Sequence, residues 1–221
     1  MSDISVASDF SESINVIASL NFWLQMPEDV LRVVLRKSNF ALITPADKLE
    51  LPGVVVSVSR GPKKLIARYR RVKIFYDVVK NSLSFEGELN SVADALSKIK
   101  EPFLEFGYSL KDIIHYCEVI LPAYRVQLKE FLDILRNKVN FEITLNNNTV
   151  LKPYTISSSN REYPISDAFL DWYHISVSPD VNSTEGFVVI SMIRRLKTYE
   201  DALNFTSRIE EELVDFIKKF K

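Results

Sequence analysis

Few side chains in this 221-residue chain are spaced for covalent chemistry. The single cysteine, Cys117, stands two positions from His115, which puts both on one face of a strand and would suit a thiolate with an imidazole base. The run around them, DIIHYCEVIL, is apolar, and such surroundings keep a thiol protonated. His174 is the only other histidine, so a metal centre would have to unite side chains from separate strands. Glu210, Glu211 and Glu212 offer paired carboxylates for acid–base work. At helical spacing, though, they lie opposite an Ile209–Leu213 face and read as wet surface. Five glycines leave little scope for phosphate-cradling loops. The expectation is a protein that binds rather than catalyses, with no cofactor and no metal.

Candidates for binding are clearer. Between Arg60 and Lys73 lie seven basic residues and no acid, a pattern that tracks a nucleic-acid backbone or protects the edge of a sheet. Tyr69 within this stretch, and Phe75 and Tyr76 just after it, would stack on bases or pack in a core. Asn15 would hydrogen-bond a base edge or simply face water. The formal net charge of −1 supplies no global attraction to polyanions, so recognition must come from local patches. One cysteine excludes an intramolecular disulfide and suits a reducing compartment. No basic start followed by an apolar run opens the chain, and no stretch of about 18 apolar residues occurs, so the expectation is a soluble, cytoplasmic protein with no membrane partner.

The elements that must position these residues follow from periodicity. Residues 12–24 alternate apolar and polar and read as a strand. Pro27, Glu28 and Asp29 open a helix whose apolar face is Val30, Leu31, Val34 and Leu35. Strands are expected over 39–45, 53–59, 64–79 (one or two) and 82–89, with a turn at Gly61-Pro62. A helix follows from Ser91, with Ser91 and Asp94 as its start signal and Pro102 as a kink or break. The order then begins again: a strand at 112–121, a helix at about 125–138, strands near 140–145, 150–157, 171–178 and 186–195, and a last helix from about 199 to 220. Thr198 and Asp201 repeat the start signal. Trp23 and Trp172 read as packing residues near sheet ends.

Both halves therefore read strand, helix, strands, long helix, and their closing segments share a strand, a polar cap and a D-A-L triplet. This predicts an α+β fold made by duplication, residues 1–110 and 111–221, with one antiparallel sheet carrying helices on one face and a concave open face on the other.

Several motifs then agree with one family. Ile14-Asn15-Val16-Ile17-Ala18-Ser19 is similar to the I-x-N-I-V-A-S-like first strand of the TATA-box-binding proteins. Leu51-Pro52-Gly53-Val54-Val55-Val56 resembles their Phe-Pro-Gly-Val-Val stirrup, and Gly61-Pro62-Lys63 stands where they carry Glu-Pro-Lys. Phe106-Gly107-Tyr108 is similar to their Leu-Gly-Phe ending, and Cys117-Glu118-Val119 is close to the Cys-Asp-Val of some archaeal members. The resemblance implies the duplicated saddle fold, with its helices on the convex side. It also implies binding of an AT-rich DNA minor groove by the concave sheet, in transcription, with apolar wedges kinking the duplex.

Carried over by position, Leu51 and Tyr76 would be wedges, Asn15 and Ile17 would face the groove, and Lys63 would sit near phosphate. Val55, Arg68, Arg70, Asp112 and Ile114 complete the expected DNA-binding set. Some residues depart from the pattern. Asp112 stands where the second copy should carry asparagine, and a carboxylate there opposes the groove's acceptors. Ser57 replaces a basic position, the second half offers only Leu151-Lys152-Pro153-Tyr154 for a stirrup, and the acidic stirrup patch that recruits transcription factor B is missing. These departures favour the alternative: a protein-interaction module of the same fold, binding a transcription factor or a second copy as a homodimer, without DNA.

Overall fold

The structure is a computed structural model that describes residues 14–43, 48–51, 54–57, 61–128, 133–134, 143–144, 150–151, 154–160, 171–181 and 186–219. It is an α+β protein built on antiparallel sheet. Contacts divide the described chain into two compact units. The first holds 15–119 with 195–207, and the second holds 120–194 with the chain after 207. The expected boundary at 110/111 thus falls inside the first unit, which also takes the start of the last helix. Tyr199 shows why: its hydroxyl donates to the Leu96 carbonyl, burying a large ring in that unit's core.

The first unit opens with β1 (Asn15–Phe22), α1 (Glu28–Lys37), β2 (Ala41–Leu42), and a hairpin of β3 (Lys48–Leu51) and β4 (Val54–Ser57). It continues through β5 (Lys63–Tyr69), β6 (Val72–Asp77), β7 (Ser82–Glu88), α2 (Leu89–Ser97), α3 (Lys100–Glu105), α4 (Leu110–Ile113) and the start of β8 (Ile114–Gln127). Its sheet runs β8-β1-β7-β6-β5-β2, and β3 and β4 pair separately. Alternation on β1 buries Val16, Ala18 and Leu20, which share a face with Leu83 and Phe85 of β7 and with Val72, Ile74 and Tyr76 of β6. α2 packs on β1, β7 and β6, and α1 on β5, so this is the face the helices cover.

α1 forms as its sequence dictates. Pro27 is its N-cap, Glu28 and Asp29 lie in its first turn, and Arg36 and Lys37 in its last. Asn39, at φ 65°, closes it, with Phe40 N–H donating to the Leu35 carbonyl at 2.9 Å and Asn39 N–H to Arg36 at 3.0 Å, a Schellman arrangement. Its buried Leu31, Val34 and Leu35 are worth roughly 1.5–3 kcal/mol each.

Three local expectations change. Ser91 does not cap α2. β7 runs directly into that helix, Glu88 takes the N-cap position without a side-chain bond, and Asp94 instead accepts from the Tyr69 hydroxyl at 2.7 Å. The long helix divides, as Pro102 led one to expect, but the break falls at Lys98–Ile99 rather than at the proline, which lies in the first turn of α3 where its missing N–H costs nothing. Residues 110–113 form the short helix α4, and β8 extends to Gln127, so the helix expected from 125 does not begin there.

The second unit contains the rest of β8, β9 (Ile143–Thr144), β10 (Val150–Leu151), β11 (Ile156–Ser159), β12 (Trp172–Pro179), β13 (Phe187–Leu196) and the end of α5 (Tyr199–Lys218). Its sheet order is β11-β12-β13-β8. Val177, Val188, Ile190 and Met192 are among its buried strand residues, with Ile209 and Leu213 from α5. The expected cap of α5 forms: Asp201 N–H donates to Thr198 Oγ1 at 3.1 Å, and that hydroxyl donates to Asp201 Oδ2 at 2.6 Å.

Candidate functional site

The face of the first unit's sheet away from its helices is a lattice whose rows follow from strand register. One row reads Ile17, Glu86, Lys73, Arg68 across β1, β7, β6 and β5. The next reads Ser19, Ser84, Phe75, Leu65, and a third reads Asn21, Ser82, Asp77, Lys63. Asn15 and Glu88 form the outermost pair. A bulge between Leu65 and Ala67 makes this possible. Strict alternation from Lys63 would turn Ala67 outward and Arg68 toward the helices, whereas the extra residue buries Ile66 and Ala67 together and returns Arg68 to the face.

The charges of this face are mostly spoken for. Lys63 extends across the Phe75 ring, its Nζ 4.6 Å from the centroid, and donates to Glu86. Glu118 of β8 lies between the buried Cys117 and Val119 and so points to the same side as Asn15 and Ile17. Arg195 grips it with Nη2 and Nε at 2.7 and 3.0 Å and stacks over Tyr116 at 4.1 Å. Arg71 reaches Glu88 only at 3.6 Å. In the middle, Ser19 and Ser84 share a hydrogen bond of 2.8 Å.

At one end of the unit, two turns are pinned together. Asn81 Nδ2 donates to the carbonyls of Phe22 and Leu24, and its Oδ1 accepts from Met26 N–H. Asp77 Oδ1 accepts from the N–H groups of Val79 and Lys80. The pinned turns present Trp23, 59% exposed and stacked 3.6 Å from His115, with Leu24 and Val79 at 75% and 81%. Trp23 is thus an exposed residue rather than the packing residue expected of it, while Trp172 is buried as expected.

The predicted DNA-binding residues separate accordingly. Asn15, Ile17, Lys63 and Arg68 do share the face away from the helices, on which Asn15, Lys63 and Arg68 are exposed while Asn21, Asp77, Ser82 and Ser84 are buried. Tyr76 does not: it is one residue out of phase with Phe75 and lies buried on the helix side, where its hydroxyl donates to the Met26 carbonyl at 2.6 Å and accepts from Gln25 Nε2 at 2.8 Å. It cannot wedge into anything bound on the open face. Ile114 is buried at the start of β8 and is likewise unavailable. Asp112 is exposed on the helix α4, not on a strand, so it faces no groove. Arg70 lies in the β5–β6 turn at φ 51°, paired with Asp94 at 2.8 Å. Leu51 and Val55 belong to the β3–β4 hairpin, and their side chains lie outside the described residues, as does Ser57. Sequence reasoning missed Glu86, Glu88 and Glu118. The clean alternation of β7 carried the signal for the first two.

Cys117 lies fully buried on the opposite side of β8, and burial pushes its thiol up to about 12. At pH 8 only about one thiol in ten thousand is then ionised. Native Cys117 is therefore expected to react with iodoacetamide at least about a hundredfold more slowly than a free cysteine, with full labelling restored in guanidinium chloride. Rapid labelling of the folded protein would contradict this burial. No cluster of metal-ligating side chains occurs among the described residues, and no helix among them is long and apolar enough to cross a membrane. No protein-family model, curated protein or solved structure matches this chain.

Proposed function

We propose that this chain is a divergent relative of the TATA-box-binding proteins whose uncovered sheet face binds a protein partner rather than the minor groove of DNA. Strand order supports the kinship. In the first unit the opening strand β1 lies beside the closing strand β7, followed by β6 and β5. In the second, β8 lies beside the closing strand β13, followed by β12 and β11. In both, a helix follows the closing strand directly or after a short turn. Two copies of one ancestral unit explain this repetition of connectivity.

The observation that carries the functional reading is the presence of Glu86, Glu88 and Glu118 on strands of the open face. A minor groove offers acceptors and a strongly negative potential, and duplex affinity comes largely from cations placed against phosphates. On this face Glu86 and Glu118 already hold Lys63 and Arg195, so those cations are engaged within the fold rather than presented to phosphates. A protein surface can meet the carboxylates with donors instead. The half-buried Ile17, Leu65 and Phe75 lie among these charges, the mixture of apolar centre and polar rim that protein interfaces use. The partner class the resemblance suggests is a transcription factor or a second copy of the chain, and no catalysis or cofactor is involved.

Site-specific photocrosslinking tests this. With p-benzoylphenylalanine in place of Ile17, irradiation in the native cell extract should give a discrete protein adduct, and the same group in place of the exposed Leu104 of α3 should not. A nuclease-sensitive adduct at position 17, or none, would overturn the reading.

A further inference from the structure

Exposed apolar side chains gather at the tips of two neighbouring turns of the first unit. Residues 78–81 join β6 to β7, and residues 23–27 join β1 to α1. Val78 and Val79 lie in the first turn, Trp23 and Leu24 in the second, and all four are exposed. Stiff β-branched residues are poor occupants of a tight turn, where asparagine, aspartate, glycine and serine match the backbone and meet water. Packing within the fold does not offset that choice, because three quarters or more of Leu24 and Val79 faces solvent. A breach of local preference without a gain in the fold points to function. Both tips are also held still. Asn81 and Asp77 pin them from within, and Gln25 Nε2 reaches from one turn to the Val78 carbonyl of the other at 3.4 Å and to the Tyr76 hydroxyl at 2.8 Å. Side chains presented in this way lose little freedom on binding.

We infer that the two tips form a knuckle that dips into the surface of a lipid bilayer, with Trp23, Leu24 and Val79 entering the boundary between headgroups and acyl chains and Lys80 meeting anionic headgroups. Size argues against a second copy of the chain as the occupant: four side chains so exposed offer on the order of half the ~800 Å² per partner that a stable protein interface buries. Turn tips project, so a protein would need a pocket shaped to receive them, whereas acyl chains flow around them. Charge agrees with a lipid surface. Lys80 is the only charged residue in 23–27 and 78–81, and the adjoining Asp77 turns Oδ1 inward onto the Val79 and Lys80 N–H groups. Tryptophan, apolar with one polar N–H, suits the headgroup level. Contact of this kind needs no spanning helix and is reversible. The knuckle lies apart from the rows of the sheet face and does not depend on what binds there.

Flotation of the full chain with two kinds of vesicle tests the knuckle: phosphatidylcholine alone, and phosphatidylcholine with about 30% phosphatidylserine. The chain should float with both and bind the anionic vesicles more tightly. Lipid brominated on its acyl chains should quench Trp23 and spare the buried Trp172. Leu24→Ser combined with Val79→Ser should weaken vesicle binding at least about tenfold and leave Tm unchanged within about 2 °C, because both side chains face solvent. Lys80→Glu should weaken binding to the anionic vesicles at least about fivefold and leave binding to the neutral ones nearly unchanged. Loss of lipid binding at constant stability is a pairing that merely structural residues would not produce. A chain that stays unbound, a double serine variant that floats as well as the native chain, or an unquenched Trp23 would each overturn the knuckle. So would a dimer, or a protein captured from extract, that the double variant loses while vesicles go unbound, since the tips would then be a protein contact. Crosslinking at position 17 proceeds without vesicles, so failure of the knuckle leaves the protein-binding face standing, and the reverse holds.

Discussion

Asn81→Ala is expected to lower the unfolding free energy by about 3–4 kcal/mol, read as a shift of the urea midpoint at unchanged slope. Asn81 holds two turns together through both ends of its amide. Its Nδ2 donates to the carbonyls of Phe22 at 3.0 Å and Leu24 at 2.7 Å, and its Oδ1 accepts from Met26 N–H at 2.9 Å. Each such bond contributes about 1 kcal/mol net. The residue also sits at φ 51°, in the left-handed region that asparagine tolerates and alanine resists by roughly 1–2 kcal/mol. Asn81→Gly separates the two contributions: it removes the bonds and relieves the backbone, so it should be about 1 kcal/mol less damaging than alanine. Equal effects would show that the left-handed conformation is not being imposed. The alanine variant should also change Trp23 fluorescence, since the pinned loop is what holds that ring against His115.

Gly87→Ala should cost about 3 kcal/mol and lower Tm by about 6–12 °C. Gly87 lies in β7 opposite Val16. A Cβ there would stand 2.8 Å from the Arg71 carbonyl oxygen and 3.2 Å from the Val72 Cα. Both obstacles are backbone, so no rotamer change relieves them, and the β5–β6 turn would have to lift away from β7. Gly61→Ala is the control, because a Cβ there meets nothing within 4 Å. If Gly87→Ala proved as harmless as Gly61→Ala, the β6–β7 pairing near the turn would be wrong, and with it the rows of the binding face.

Much of this architecture can be read directly from the chain. Alternation in NVIASLNF sets the two faces of β1, the Pro27-Glu28-Asp29 start fixes α1, and Thr198 with Asp201 marks the beginning of α5. What cannot be read depends on tertiary decisions. Tyr76 and Phe75 are adjacent aromatics, and only pairing with β7 settles which of them faces the helices. The bulge before Ala67 has no glycine or proline to announce it, yet it decides the side on which Arg68 lies. Ser91 and Asp94 have the spacing of a cap, but β7 continues into α2 without a break, so the carboxylate is free to serve Tyr69, whose hydrogen bond holds Asp94 below its ordinary carboxyl range. Residues 110–113 have apolar spacing that a strand or one helical turn would satisfy equally, and the turn removes Asp112 from the face altogether.

For the proposed function the acidic residues of the face matter most. Likeness to a DNA-bending family directs attention to apolar wedges and asparagines, whereas the register brings three glutamates to the same surface. Fold kinship and binding partner are separable properties, and the partner follows from the side chains displayed.

Bending of DNA decides the matter most directly. An AT-rich duplex carrying a donor and an acceptor at its ends should show no change in energy transfer with up to roughly 10 μM of the full chain at about 150 mM salt, above the weak, salt-sensitive level of non-specific contact. A saturable rise in transfer, corresponding to a kink of about 20–90°, would show that the face does enter the minor groove despite Glu86, Glu88 and Glu118.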